Sequence, residues 1–242
     1  DRGFRFGDGV FETIRVQAGV PYRFDWHMER LAGGLVAIKL ALGLEDIQAM
    51  SKQLLLANAL QDGLLRIQIT RGIGSQGYLP AGGTPTLLIE TSPLPVLPAG
   101  PVPLWLSGYE KPSAKALPVR YKLAQGMNSI LARMEAAENG CFEALMQNSA
   151  GQVCETSSGN ILWLHKGTVY TPALHCGVLE GSSRAALLAL SPYPIQETVC
   201  GMESLQQAEA VCICNVAWGF LPVSSLQPSG WGWQSASLAE AL

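Results

Sequence analysis

Apolar and polar positions alternate over residues 9–16 and again over 64–70, with β-branched and aromatic side chains at the apolar places. A period of two sends every second side chain to one face, so both stretches are predicted as half-buried strands. Between them the spacing lengthens: residues 26–42 and 44–60 carry apolar side chains every three or four positions and predict two helices. The first part therefore reads strand, helix, helix, strand, with a further strand over 86–90. Residues 92–103 then hold five prolines in twelve positions. Proline removes backbone donors and favours extended chain, which makes this stretch the predicted connector.

Beyond the connector, residues 123–139 predict a helix ended by Gly140, and 143–147 and 161–164 predict strands. A hairpin-like turn at Lys166 and Gly167 leads to a strand over 169–171. A helix over 183–190 opens after Gly181 and Ser182, and a buried strand over 210–214 runs into a turn. The pattern implies a mixed α+β chain: a small N-terminal α+β domain over 1–92, a connector over 93–103, and a larger C-terminal α+β domain over 104–242. No internal repeat is visible, which speaks against a solenoid and favours an enzyme with a cleft between two domains.

Composition narrows the class. With 48% hydrophobic and 14% charged residues the chain has ample material for a packed core. A net charge of −3 and scattered Lys and Arg exclude the electrostatic footprint of a nucleic-acid binder. No apolar run approaches the roughly 20 residues that span a bilayer, so no membrane span is expected. Six cysteines have neither zinc-ligand spacing nor the density of a disulfide scaffold, which predicts reduced, mostly buried thiols of a cytoplasmic protein. The chain opens at Asp1 without methionine, so a preceding stretch is expected and targeting stays open.

The glycines and acids of residues 1–13 read as a tight turn feeding the first strand, and not as a phosphate-binding loop, because no helix follows directly and no Lys-Ser or Lys-Thr pair is present. Arg30, on the first predicted helix, is either a solvated surface residue or a bidentate fork for a phosphate. Lys122 lies in a strand-like stretch entering a helix, where it is either an ordinary lysine or a desolvated amine able to form a Schiff base. Glu155 precedes a small polar turn and is either a surface acid or a partner for a pyridinium nitrogen. Gly181, Ser182 and Ser183 open a helix, where capping and anion binding are compatible roles.

In order along the chain, DRGFRFGDGVFET (1–13), HMERL (27–31), RIQITRG (66–72), YKLAQGMNSILAR (121–133), GCFEALMQNSAGQVCETSSGN (140–160), VYTP (169–172), GVLEGSSR (177–184) and CNVAWGFLPV (214–223) resemble the class IV aminotransferases, the fold-type IV pyridoxal-phosphate enzymes. The match covers nearly the whole chain. The resemblance implies an α+β, two-domain fold like that of D-amino acid aminotransferase, pyridoxal 5'-phosphate as cofactor between the domains, a small-molecule amino substrate and a homodimer. It implies that Lys122 carries the cofactor through a Schiff base and then moves the proton at the substrate carbon, and that Glu155 meets the ring nitrogen. Arg30 would hold the phosphate, with Gly181, Ser182, Ser183 and the turn at Asn215 and Val216 completing the phosphate cup.

Members divide into aminotransferases for branched-chain L-amino acids, aminotransferases for D-amino acids, and 4-amino-4-deoxychorismate lyases of folate synthesis. The segments at 11–13, 70–78 and 214–215 look most like the lyase branch, with Thr13 matching a hydroxyl that assists proton transfer to the leaving pyruvate unit. Arg71 would either bind a substrate carboxylate or hold a strand end. Four departures bear on the substrate: Gly126 where many transaminases have tyrosine, Val216 for a phosphate-binding threonine, Phe6 for tyrosine and Gln76 for arginine. A cofactor-binding relative without catalysis would be free to lose Lys122 or Glu155, and both are present.

Overall fold

The computed structural model describes residues 1–191 and 193–242. Its backbone contacts divide the chain into two compact units. The first takes residues 1–95 together with 121–126, and the second takes 96–120 and 127–242. The stretch carrying Lys122, expected in the C-terminal domain, is therefore grouped with the N-terminal unit. The reason is backbone pairing: Phe11 N–H donates to the Lys122 carbonyl at 2.9 Å and Ala124 N–H to the Gly9 carbonyl at 2.9 Å. The predicted helix over 123–139 begins later for the same reason, at Met127, because residues 122–124 are spent as an extended partner to residues 9–11.

In the first unit, α1 (Arg2–Phe6) leads into β1 (Gly9–Gln17) and the short β2 (Val20–Pro21). Next come α2 (Phe24–Ala37), α3 (Ile47–Ala57), β3 (Gly63–Thr70) and β4 (Thr86–Ser92). The strands form one antiparallel sheet in the order β2-β1-β3-β4. Its inward positions, Val10, Ile14 and Val16 from β1 and Leu65, Ile67 and Ile69 from β3, pack with Leu31 and Leu35 of α2 and Ile47 and Leu55 of α3. Each such burial contributes about 1.5–3 kcal/mol, so the period-two pattern fixes which face of β1 looks outward. The two helices are shorter than the apolar spacing predicts.

The opening residues form a helix rather than the expected tight turn. Asp1 Oδ1 caps it by accepting from Gly3 N–H at 2.6 Å, and Gly7, at φ 67°, ends it. Gly7 serves a second purpose: a Cβ there would stand 2.9 Å from the Gln125 Cα, so the backbone of the Lys122 segment can come this close only to glycine.

The second unit contains β5 (Val102–Leu106), α4 (Met127–Glu138), β6 (Glu143–Gln147), β7 (Val153–Thr156), β8 (Asn160–His165) and β9 (Thr168–Pro172). A 3₁₀ turn at Leu174–Cys176 follows, then α5 (Ser182–Leu190), β10 (Ile195–Thr198), α6 (Glu203–Gln206), β11 (Ala210–Asn215), β12 (Gly219–Gln227), β13 (Trp231–Gly232) and α7 (Ala236–Ala241). The sheet order is β10-β9-β8-β11-β12-β5-β6-β7, with β13 paired to β12. The Lys166-Gly167 turn joins β8 to antiparallel β9 with both residues at positive φ, the twist a two-residue hairpin needs. The Pro-rich connector ends inside a strand, for Val102 and Leu104 of β5 are buried. Pro103 offers no ladder donor, and the partner β12 shifts register at the same level, between Val223 and Ser225.

β8 and β11 are buried on both faces, which explains why the sequence there is continuously apolar. Ile161, Trp163, Val211 and Ile213 enter one core, whereas Leu162, Ala210, Cys212 and Cys214 enter another with Leu187 of α5 and Leu238 of α7. All six cysteines are free, as the sequence predicts. Burial pushes the Cys212 and Cys214 thiols up to about 12, and burial with the nearby Glu155 charge does the same to Cys154. No helix among the described residues is long and apolar enough to cross a membrane.

This burial makes the thiols a test of the fold. Cys154, Cys212 and Cys214 should resist thiol reagents in the native protein at neutral pH and react only after unfolding; rapid native labelling at any of them, read by mass spectrometry, would contradict their placement. A second expectation concerns Asp8, whose one oxygen, Oδ2, meets both Arg2 Nε and Arg71 Nε at 2.8 Å. Burial raises the Asp8 carboxyl, but hydrogen bonds from Arg71 and Arg2 and their charges outweigh it and hold it below the ordinary 3.8. A lowered folded value means that the stabilisation is present above the ordinary pKa and is lost as pH falls through the folded one. Asp8→Asn should cost about 1 kcal/mol near neutrality, because solvent partly screens the half-buried carboxylate, with the gap to wild type closing in acid denaturation curves.

Candidate active site

β1 sorts the candidate residues by parity. Phe11 and Thr13 lie on its half-exposed face, whereas Val10, Glu12 and Ile14 are buried behind it. The Phe11 ring carries two cations: Lys122 Nζ stands 4.5 Å from its centroid and the Arg66 guanidinium carbon 4.0 Å. Such contacts favour a cation over the ring by about 0.5–1 kcal/mol at exposed sites and more where water is excluded. Thr13 is directly opposite Arg66 in the β1–β3 ladder, and Phe11 opposite Gln68. Lys122 and Arg66 thus share one aromatic side chain, and Thr13 stands on the same face of β1, opposite Arg66. Arg66 also touches Glu90 at 3.5 Å and Gln68 at 3.1 Å. Arg66 carries no motif of its own along the chain, and its place directly opposite Thr13 follows only once β1 and β3 are aligned.

Arg30 approaches β1 from the other side. Its Nε donates to Glu12 Oε1 at 2.7 Å and its Nη2 to Oε2 at 2.6 Å, so the bidentate fork expected for a phosphate grips a carboxylate. His27 Nδ1 lies 2.7 Å from Glu12 Oε2, and the Trp26 ring lies 4.8 Å from the guanidinium carbon. Burial raises the Glu12 carboxyl, yet hydrogen bonds from His27 and Arg30 and the Arg30 charge hold it below its ordinary value. The signal for Glu12 was an acid at an inward position of a period-two strand. Arg71 is engaged at all three nitrogens: Nε with Asp8, Nη1 with the Lys39 carbonyl at 3.0 Å and Nη2 with the Ile38 carbonyl at 2.6 Å. A substrate carboxylate at Arg71 would have to displace these bonds.

The second unit holds the remaining candidates. Glu155, 4% exposed on β7, pairs through Oε1 with Lys111 Nζ at 2.7 Å. Its Oε2 accepts from Asn160 Nδ2 at 2.9 Å and from Leu179 N–H at 3.1 Å. Asn160 Nδ2 also donates to the Leu179 carbonyl, and a Cβ on Gly181 would lie 2.0 Å from Asn160 Oδ1. Only glycine lets the start of α5 come this near to the Glu155 partner. Gly181 is extended ahead of the helix, and the first-turn amides of Ser182 and Ser183 have no acceptor within the helix.

Asn215 works through its side chain. Oδ1 accepts from Ala217 N–H and Trp218 N–H, both at 2.9 Å, and Nδ2 donates to the Ser158 carbonyl at 3.0 Å. It thereby shapes the turn containing Val216 and ties it to the turn after Glu155. That second turn is held by buried Glu143, whose oxygens take the Ser157 and Ser158 hydroxyls. Lys111, Asn160 and Glu143 were not singled out from sequence, because their roles depend on strand pairing across long separations.

A family model described as amino-transferase class IV matches residues 9–226. The chain is 28% identical over 259 residues to the aminodeoxychorismate lyase of Bacillus subtilis (strain 168), with 100% of this chain and 85% of that protein covered. The crystal structure of 4-amino-4-deoxychorismate lyase from Pseudomonas aeruginosa superposes with a TM-score of 0.84 at 32% identity, over 99% of this chain and 90% of that one. The branched-chain aminotransferase of the thermophilic archaeon Thermoproteus uzoniensis, crystallised with norvaline, superposes with a TM-score of 0.91 at 25% identity, over 99% and 84%. With a single family model spanning nearly all of it, the chain belongs to the amino-transferase class IV family.

Proposed function

We propose that this protein is a pyridoxal-phosphate-dependent 4-amino-4-deoxychorismate lyase, releasing pyruvate and 4-aminobenzoate for folate synthesis. The observation that carries the reading is the single β1 face on which Thr13 and Phe11 alternate, with Lys122 Nζ and Arg66 both over the Phe11 ring. The donor set suits the cofactor: Lys122 as the amine that holds it, buried Glu155 for the ring nitrogen, and the amides and hydroxyls at Gly181, Ser182 and Ser183 for the phosphate. The family resemblance adds the backbone amides of the Asn215-Val216 turn and, from the first unit, Arg30 as further phosphate ligands of this proposal. When bound, pyridoxal phosphate supplies an electron sink that acidifies the substrate carbon next to its amino nitrogen.

The chain's own residues do the rest. Lys122 would take and return the proton at that carbon. Arg66 orients a substrate carboxylate, the part given to Arg71 as one alternative from sequence. Thr13 supplies a hydroxyl for the proton that the departing pyruvate unit needs. Identity to a lyase of 32% over nearly the whole chain supports this branch. The second reading is a transaminase acting on D-amino acids or branched-chain L-amino acids with a 2-oxo acid acceptor, favoured by the shared fold of the branched-chain enzyme. We further propose a homodimer in the cytoplasm, consistent with free thiols and with exposed Phe4, Ile73, Tyr78 and Leu79; light scattering at the monomer mass would refute the dimer.

The cofactor-loaded protein should release 4-aminobenzoate from enzymatically generated aminodeoxychorismate, and Lys122→Ala should lose both product and the cofactor's covalent absorbance band. Amino-group transfer to 2-oxo acids without 4-aminobenzoate would select the transaminase. Thr13→Val should slow elimination by about a hundredfold while leaving cofactor binding intact, and an unchanged rate would remove Thr13 from the reaction. Glu155→Gln, which keeps the side chain's shape and can still accept from Asn160 and Leu179 N–H, should retain the cofactor but lose most of the rate; full activity would refute its ring-nitrogen role.

A further inference from the structure

Three donors converge on the buried carboxylate of Glu155 in β7. Asn160 Nδ2 at 2.9 Å and Leu179 N–H at 3.1 Å both go to Oε2, while Lys111 Nζ lies 2.7 Å from Oε1. The first two are neutral, so the ammonium supplies the charge that a buried anion needs. Lys111 is largely shielded as well, and its backbone is held from two directions. Its N–H donates to the Gln147 carbonyl at the end of β6 at 2.9 Å. On the other side the turn at Gly177, φ 97°, packs closely: a Cβ there would stand 3.1 Å from the Pro112 carbonyl oxygen and 3.9 Å from the Lys111 Cβ. The thiols near Glu155 bring no charge at neutral pH, for Cys154 and Cys214 are pushed up to about 12 and burial raises Cys176 beside Cys154. Glu180, next to Leu179, is paired with Arg120, and Glu110, next to Lys111, is exposed.

From this geometry we infer that Lys111 is a positioning residue for Glu155 and, through it, sets how tightly the cofactor's ring nitrogen holds its proton. The inference rests on the reading of Glu155 as the partner of that nitrogen. A ring nitrogen carried by this carboxylate shares it with the ammonium, and two cations on one anion repel each other. Glu155 alone favours the protonated ring. The ammonium offsets part of that gain, so the proton leaves at a lower pH than Glu155 by itself would allow. A lysine that served the fold alone, tying the segment after β5 to β6, would leave this proton affinity where Glu155 puts it.

The test loads the protein with pyridoxal phosphate isotope-labelled at the ring nitrogen and follows that atom by nitrogen NMR as pH is varied. Wild type is compared with Lys111→Met, Lys111→Gln, Lys111→Arg and Glu155→Gln, each fold being checked by circular dichroism. Lys111→Gln keeps a donor for Glu155 without the charge, so it carries the test where Lys111→Met does not fold. Loss of the ammonium should raise the midpoint of ring deprotonation by about one pH unit, an about tenfold tighter proton, and Lys111→Arg should restore the wild-type midpoint. Glu155→Gln should lower it. A wild-type ring that stays protonated throughout, a midpoint unchanged in the folded neutral variant, or an arginine variant that behaves like the neutral ones overturns the inference. A midpoint that does not move in Glu155→Gln overturns the ring-nitrogen reading and the inference with it, whereas one that falls in Glu155→Gln but holds in the Lys111 variants overturns the inference alone.

Discussion

The first unit depends on a short stretch of backbone pairing. Residues 122–124 run antiparallel to the start of β1, through Phe11 N–H to the Lys122 carbonyl and Ala124 N–H to the Gly9 carbonyl. Because main-chain bonds fix where the Lys122 Cα lies and which way its Cβ points, the side chain leaves the backbone beside Phe11, and Nζ stands 4.5 Å from the ring centroid. The absence of a Cβ at Gly7 permits the approach, and the late start of α4 at Met127 is its consequence. A helix beginning at Leu123 would have taken residues 123 and 124 out of the extended conformation that pairs with β1.

Around this pairing the unit is organised by parity. One side of β1 is core, and it admits a single charged residue, Glu12, only because α2 brings His27 and Arg30 to it. The other side collects Thr13, Phe11, Arg66 and Lys122. A slip of one residue in register would exchange the two sets, burying the amine's surroundings and exposing the carboxylate. The strand pattern that builds the hydrophobic core is thus also what separates the chemical face from the anchoring one.

Buried or half-buried carboxylates recur with the same logic in both units. Asp8 joins Arg2 and Arg71, Glu12 joins His27 and Arg30, Glu155 joins Lys111 and Asn160, and Glu143 holds two serines of the turn after Glu155. Each acid fixes a loop or a side chain that the core alone would leave loose. Their cost in desolvation is offset by charge-assisted bonds, and what the protein gains is geometry. Class IV membership does not choose among the activities hosted by the fold, since that choice lies in the few side chains of the face that meets substrate.

Most of the architecture was legible along the chain. Alternation at β1 and β3, the continuous apolar run at β11, helical spacing at α2 and α3, and the turn residues Lys166 and Gly167 are local signals, and local signals survive in a one-dimensional reading. The motif order from residue 1 to 223 carried the family resemblance. Not legible were α1, made by an Asp1 cap; β5, hidden among prolines whose lost donor is absorbed by a bulge in β12; the short β2, β7, β10 and α6; and the terminal β12, β13 and α7. Linear order was enough for the types of most elements and for Lys122, Glu155 and Arg30 as candidates. It took the folded chain to establish that Lys122 is placed by β1, that the Arg30 fork is held by Glu12, that Arg71 is spent on Asp8, and that Arg66 shares a ring with the amine. Those facts depend on strand register and on hydrogen bonds between residues far apart in sequence, which local patterns do not specify.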